Sequence, residues 1–545
     1  MNNFISKYIK KSGFRSMILA LPLGIVGAGS VASCSDWDDH YNGSASDSGN
    51  ISLWQQISET PELSDFAEVL SQTKMFRQHK KSSMSYAEIL NGGQSLTVMA
   101  PVNGTFNKDS LLALVQTANG DSAVEKNFVK NHISRSPRSA GEDTIRLLNY
   151  KRATMTADGI LGVAFKEKDI RCKNGVLHVM ESQIPYKYTV YEALNAIPQF
   201  NEAGNIIASY NEDVFDENAS ISSGLVDGIP VYIDSVVYER NKIFYAVGLI
   251  NDEDSTYHTV LPTNTGWKKA WDEAASHFKY PSNMEKSDSL QKYWSTRALL
   301  EDAIFSPSIQ ASMKDSVKSM YYDKTTPEYH VYYKPFDSNG LFGAAKGKVT
   351  CSNGFIYYYD EWPYTPEQTY FTKKEYEAEH HWDIVSYDKC VYTPYALNAD
   401  SISKGGYLDI TATKGTYNWK VTYKLANTLA GKYDFNVVIL PKTVESPDGN
   451  MRPCKFKATI NYLDAEGKEQ KYNCGGKVFI SDPAHVDTIC VASAFELPAC
   501  NYNQTNSSIS ITIECSISSK ENSKYNREMF LDCIFLSPVR ESNEE

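Results

Sequence analysis

The sequence predicts two α+β units in tandem followed by an all-β antiparallel sandwich of the jelly-roll kind. Three observations lead to that class. A strand running into a turn, and then an Asn-Gly turn running into a strand, occur twice in the same order. Beyond about residue 380 the hydrophobic period changes to two, the repeat of half-buried strands. About 510 residues follow an N-terminal leader, more than one hydrophobic core normally organises.

The leader comes first. Lys7, Lys10, Lys11 and Arg15 precede an apolar run over residues 17–31, which ends in small residues before Cys34. This is the layout of a signal peptide, residues 1–33. The apolar run is shorter than the roughly 20 residues that span a bilayer, and Pro22, Gly24, Gly27 and Gly29 loosen it further. Val31-Ala32-Ser33-Cys34 resembles the lipobox of bacterial lipoproteins. The resemblance implies that Cys34 is lipidated and becomes the mature N-terminus, held in a membrane by several acyl chains. Ordinary secretion with cleavage near Ala32 is the alternative. Residues 34–50 read as an acidic, flexible tether, opening with Ser35-Asp36-Trp37-Asp38-Asp39. Acidic residues directly after the cysteine resemble the surface-export signal of lipoproteins in lineages with Sus-type uptake systems. That implies an outer-membrane protein facing the cell exterior.

The chain has 54 Lys and Arg against 66 Asp and Glu, a formal charge of −12. Four of the basic residues and none of the acidic ones lie in the leader, so the mature chain carries −16. Such a charge repels phosphate backbones, and no nucleic-acid partner is expected. Nine of the ten cysteines remain beyond Cys34, an odd number that leaves at least one thiol unpaired within the chain. No two have CxxC spacing, so a zinc ribbon lacks its starting residues.

The first unit is expected over residues 51–188. Ser52 and Gln55 form a capping-box pair, and Thr60-Pro61 marks a second helix start. Leu63, Phe66, Ala67 and Leu70 then share a helical face. Residues 96–106 read as a strand and turn, with Asn103 placed to cap the following helix. Asn174-Gly175 turns into the strand that starts at Val176. The second unit, residues 189–375, repeats both features at residues 259–267 and at Asn353-Gly354. The spacing from Pro101 to Asn174 is 73 positions and from Pro262 to Asn353 it is 91, so the second unit carries an insertion, placed at residues 306–339.

These paired stretches resemble the two signatures of the FAS1 (fasciclin) domain. The resemblance implies wedges of mixed sheet and helix with buried signature strands, covering about three fifths of the chain. The first copy has Asn131-His132 where many members have a Tyr-His pair linked to adhesion, and the matching stretch of the second has no histidine. His132 is therefore expected to hold backbone groups rather than a partner.

From residue 380 to 541 the sandwich follows. Tyr417, Trp419, Val421, Tyr423 and Leu425 alternate with polar residues, as do Tyr433 to Ile439, Phe456 to Tyr462 and Ile509 to Cys515. A polar connection is expected near residues 370–381. Its Glu377, Glu379, His380 and His381 are read as a solvated linker, because neighbouring histidines on an extended strand point to opposite faces.

GxSxG, HExxH and GxxxxGK[ST] are all absent from the sequence, so catalysis by those arrangements has no starting residues. No cofactor, metal or enzymatic activity is expected. The 36 tyrosines suit sugar binding, since ring faces pack on C–H groups while polar neighbours hold hydroxyls. The candidate ligand residues are Tyr321, Tyr322, Tyr329, Tyr332 and Tyr333 in the insertion, with Trp362 and Tyr364. The expected function is non-enzymatic capture of a glycan or other nutrient at the cell surface, accessory to a Sus-type outer-membrane transporter complex. Two alternatives stand beside it: an adhesion or protein-docking lipoprotein, and a glycan hydrolase with unrecognised acids.

Overall fold

The structure, a computed structural model, describes residues 47–77, 80–117, 119–226, 229–323, 328–397, 399, 401–445 and 451–540. The leader, Cys34 and most of the tether lie outside the described residues. The described chain is mostly β-sheet.

The first unit is organised around strand β1 (Leu96–Pro101), all of whose residues are buried. β2 (Ile133–Arg135) runs antiparallel beside it. The sheet takes in β3 (Asp143–Arg146), β4 (Arg152–Met155), β5 (Gly159–Ile160), β6 (Val163–Cys172) and β7 (Gly175–Met180), in the order β2-β1-β7-β6-β5-β4-β3. A bridge between Ser134 and Leu147 brings the far edge back to β2, so the sheet curls almost closed. Helices α1 (Leu53–Glu59), α2 (Ser64–Gln72) and α3 (Tyr86–Asn91) cover it, with Leu53, Phe66, Leu70 and Leu90 fully buried. The Ser52–Gln55 capping box forms as the sequence predicts.

The second unit repeats the pattern. β8 (Tyr257–Pro262), β9 (Ile304–Phe305), β12 (Gly347–Cys351) and β13 (Gly354–Tyr359) form a sheet in the order β9-β8-β13-β12. β1 pairs with β7 in parallel from Leu96↔Gly175 to Pro101↔Met180, and β8 pairs with β13 in parallel from Tyr257↔Gly354 to Pro262↔Tyr359. Between β9 and β12 the insertion forms a separate hairpin of β10 (Ser316–Asp323) and β11 (Glu328–Tyr333).

The two Asn-Gly turns explain themselves. Gly175 and Gly354 have φ of 150° and 144°, and a Cβ on either would sit 1.9 Å from a carbonyl oxygen of the neighbouring strand. Asn174 Oδ1 accepts the Leu53 N–H at 2.8 Å, while its Nδ2 donates to the carbonyls of Leu90 and Gly92. Asn353 does the same for Val190, Ile250 and Asp252. Each asparagine thus ties a helix start to a loop and to the signature strand.

Asn103 differs from expectation. The helix after it, Lys108–Val115, is capped by Asn107. Asn103 instead reaches back, accepting the Asp65 N–H and donating to Pro61 O at the start of α2. Asn264 makes the equivalent bonds to Glu202 N–H and Pro198 O in the second unit. The turn directs the side chain toward the preceding helices, a choice that local spacing does not reveal.

The sandwich has two antiparallel sheets. One is ordered β16 (Cys390–Ala396), β17 (Gly406–Ala412), β24 (Glu528–Pro538), β19 (Gly431–Ile439), β22 (Asp487–Leu497), with β14 (Lys374–Glu377) also on β24. The other is ordered β15 (Ile384–Asp388), β18 (Lys420–Lys424), β23 (Ser510–Cys515), β20 (Lys455–Leu463), β21 (Glu469–Asn473). The inward residues are those the period of two selects, among them Trp419, Val421, Tyr423, Phe435, Val437, Phe456, Ile511 and Ile513. Tyr417 lies before its strand and is only half-buried.

The expected polar connection is absorbed into structure. Glu377 is buried at the end of β14, which pairs with β24. Phe278 and Tyr280 of the second unit belong to the sandwich core, and Ala430 N–H and Cys500 N–H donate to the carbonyls of His277 and Lys279. Phe278 and Tyr280 thus anchor the second unit in the sandwich core, while the second unit keeps a separate core around Trp267, Leu299 and Leu300. Lys151, almost fully buried, joins the first unit to the second through Glu192, Glu253 and Ser352.

Candidate functional site

The insertion hairpin brings its rings together around one buried carboxylate. Asp302, at the C-terminal end of the helix Ser287–Ala303, lies 2.9 Å from His330 Nδ1 and accepts the Tyr332 hydroxyl at 3.1 Å. The Tyr364 hydroxyl donates to the Asp302 carbonyl. Tyr321 stacks on His330 with ring centroids 4.0 Å apart and planes 11° apart. Next to Asp302, Glu301 is pushed up to about 7, chiefly by burial, against the pull of Arg297 at 2.8 Å. The cavity between this cluster and the sandwich, lined by Trp294, Tyr370 and Tyr502, measures about 20 Å³, room for one water and not for a sugar.

Of the seven aromatic candidates, Tyr321, Tyr332 and Tyr364 thus serve the internal network, and Trp362 packs against Trp267 and Tyr364. Tyr322 and Tyr329 pair at 4.8 Å near the hairpin tip, with Tyr322 exposed. Tyr333 is 76% exposed.

A more open arrangement lies on the outer face of the sandwich. Along β16, Val391, Thr393 and Tyr395 point away from the core; their partners on β17 are Thr411, Asp409 and Tyr407. Phe530 and Glu528 of β24 continue the rows beside Asp409 and Thr411. Tyr395 is 43% exposed and lies over buried Tyr407 at 5.5 Å with planes 24° apart. Lys442 sits with Nζ 3.5 Å from the centre of the Phe530 ring and 3.0 Å from Glu528. Burial and then the nearby Glu528 push Asp409 up to about 6, and burial lowers Lys442. The result is a shelf with one ring face open to solvent, bordered by two hydroxyls and two carboxylates. The sequence reading did not reveal it, because the period-two alternation marks the core face of these strands. The opposite face of the same strands carried the signal.

Just before β15, Trp382 is 64% exposed and stacks on His380 at 4.5 Å. Among the described residues no group of three His, Cys, Asp or Glu is set as a metal site. Glu377 and Glu379 lie close enough to Asp532 for their charges to act on it. Glu377 Oε2 and Glu379 Oε2 are buried without hydrogen-bond partners, while Glu377 Oε1 and Asp532 hold Ser403. Burial pushes Asp532 up to about 7, with Glu377 and Glu379 adding to the effect.

His132 is fully buried. Its Nδ1 lies 2.8 Å from the Phe128 carbonyl and its Nε2 accepts the Ile184 N–H at 2.9 Å, the arrangement of a neutral ring that ties two backbone groups. Burial lowers it to about 4.

No protein-family model matches the chain, and no curated protein does. Among solved structures, the FAS1 domain pair of the insect cell adhesion molecule fasciclin I is 13% identical, over 50% of this chain and 90% of that one, with a TM-score of 0.19. A family 35 carbohydrate-binding module from Clostridium thermocellum is 15% identical, over 30% of this chain and 98% of that one, with a TM-score of 0.18. An exo-β-1,3-galactanase from Phanerochaete chrysosporium is 12% identical, over 38% of this chain and 37% of that one, again at 0.18. At such TM-scores these likenesses add nothing to the geometry described above.

Proposed function

We propose that this chain is a non-enzymatic, lipid-anchored surface protein in which tandem FAS1-like units carry a sandwich that captures a glycan for a Sus-type uptake system. The observation that carries the reading is the outer shelf of the sandwich, where Tyr395 offers a ring face beside Thr393, Asp409, Thr411 and Glu528. A sugar's C–H face packs on such a ring while hydroxyls and carboxylates take its hydrogen bonds. Phe278 and Tyr280 of the second unit, packed in the sandwich core, support a fixed display of this shelf. The lipobox at Cys34 supports the anchor. Glycan-array binding by the full chain is the test. Binding is expected to fall about tenfold or more in Tyr395→Ala with the fold intact, about 1.4 kcal/mol or more. Undiminished binding in that variant sinks the shelf as the site, and release of reducing sugar by the pure protein sinks the non-enzymatic reading. Labelled palmitate incorporated in the wild type and lost in Cys34→Ala tests the anchor.

A docking role is the second reading. It is favoured by the edge strand β15, where Val385 and Tyr387 are exposed next to Trp382. Exposed apolar side chains on an unpaired strand edge invite a protein partner. Pull-down by a transporter subunit that is lost in Trp382→Ala and retained in Tyr395→Ala distinguishes the two.

A further inference from the structure

The first unit holds a feature that runs against the chain's overall charge. Within 18 positions, Arg135, Arg138, Arg146 and Arg152 are gathered in a protein of formal charge −12. The curl of the sheet converts three of them into the wall of one groove. The Ser134–Leu147 bridge draws β2 against the start of the far edge, and the groove of about 430 Å³ that results is lined by Arg135, Arg138, Arg146, Thr144, Leu148 and Tyr150. That volume lies within the range of small-ligand sites, unlike the cavity at the Asp302 cluster.

The electrostatics are unspent. Arg135 has no acidic partner among the described residues. Arg138 faces Asp143 at 3.6 Å and Arg146 faces Asp254 at 3.3 Å, each pair about half-exposed. Exposed pairs of this kind contribute about 0–1 kcal/mol and exchange readily for a better oxyanion. Guanidinium groups grip carboxylate and sulfate through paired N–H donors, which an ammonium cannot match. A cleft lined by one sign of charge also focuses its field on whatever enters.

The groove has an aromatic end as well. Tyr150 is 61% exposed, held with φ at 70° in the turn between β3 and β4. Arg146 lies 5.6 Å from its ring centre and donates through Nε to the Tyr150 carbonyl, so ring and guanidinium are fixed as a unit. Among the described residues the second unit has no counterpart, because its insertion hairpin follows β9 where β3 to β6 follow β2 in the first.

We infer that this groove binds an anionic glycan, with the arginines holding the carboxylate or sulfate of a sugar residue that stacks on Tyr150. The inference rests on the glycan-capture reading and names its substrate class. The full chain is measured by biolayer interferometry against oligogalacturonate, dextran sulfate and neutral dextran. Binding to at least one anionic polymer is expected, with affinity about tenfold or more weaker in Arg135→Ala/Arg138→Ala and in Tyr150→Ala, and falling as salt rises. The two anionic arms distinguish carboxylate from sulfate, and either upholds the site. Failure of both to bind, or equal binding by the double variant, overturns it. Inorganic polyphosphate binding as tightly as either glycan, undiminished in Tyr150→Ala, overturns it in favour of plain polyanion attraction. Neutral dextran bound through Tyr395 with no anionic polymer bound sinks the groove and leaves glycan capture standing.

Discussion

Replacing Asn174 or Asn353 by alanine tests the claim that one structural device is used twice. Asn174 satisfies three backbone groups: the Leu53 N–H at 2.8 Å, the Leu90 carbonyl at 2.8 Å and the Gly92 carbonyl at 2.7 Å. The first two bonds are wholly buried and the third partly so. Water cannot replace the first two, and an unsatisfied buried group costs about 1–3 kcal/mol. Two such groups, with little from the third, give about 2–6 kcal/mol for Asn174→Ala. Asn353 holds Val190 N–H in a buried bond, with Ile250 O and Asp252 O, in the same proportions, so Asn353→Ala carries the same estimate. Amide hydrogen exchange of the full chain reads each unit separately. Protection of Leu53 and β7 is expected to drop in the first variant, and of Val190 and β13 in the second. Global stability is followed by urea unfolding. A loss below about 1 kcal/mol in either variant, or a gap between the two larger than about 2 kcal/mol, refutes the reasoning.

Other outcomes follow from single sites. His132 titrates near 4 when folded against 6.5 when free, so the unfolded chain binds the extra proton between those values. Stability therefore falls as pH drops from about 6.5 to 4, by about 3 kcal/mol from this ring, and His132→Gln is expected to flatten that part of the pH-stability curve. Gly354→Ala places a Cβ 1.9 Å from the Tyr257 carbonyl and is expected to unfold the second unit, seen as lost protection across β8 and β13. Of the nine cysteines beyond Cys34, Cys490 alone is exposed, and a thiol reagent is expected to label it first in the native chain.

Local signals carried much of the fold. The Ser52 capping box, the two Asn-Gly turns and the inward rows Trp419, Val421, Tyr423 and Tyr433, Phe435, Val437 are all legible in sequence because each depends on neighbours within a few positions. The direction of Asn103 was not legible, since its partners lie about forty positions earlier in α2. Glu377 looked solvated because its polar neighbours said nothing of β24, which comes more than a hundred and fifty positions later. The tyrosines of the insertion were visible as a cluster, but their division between Asp302 and solvent was not.

What the sequence by itself determined is the repeated pair of turns and the change to a period of two. Each rests on backbone geometry that a short segment contains whole. Only tertiary structure decided which rings are open, which carboxylates meet and where the arginines converge. Those depend on strands far apart in the chain becoming neighbours, and pairwise proximity across a sheet has no local sequence code.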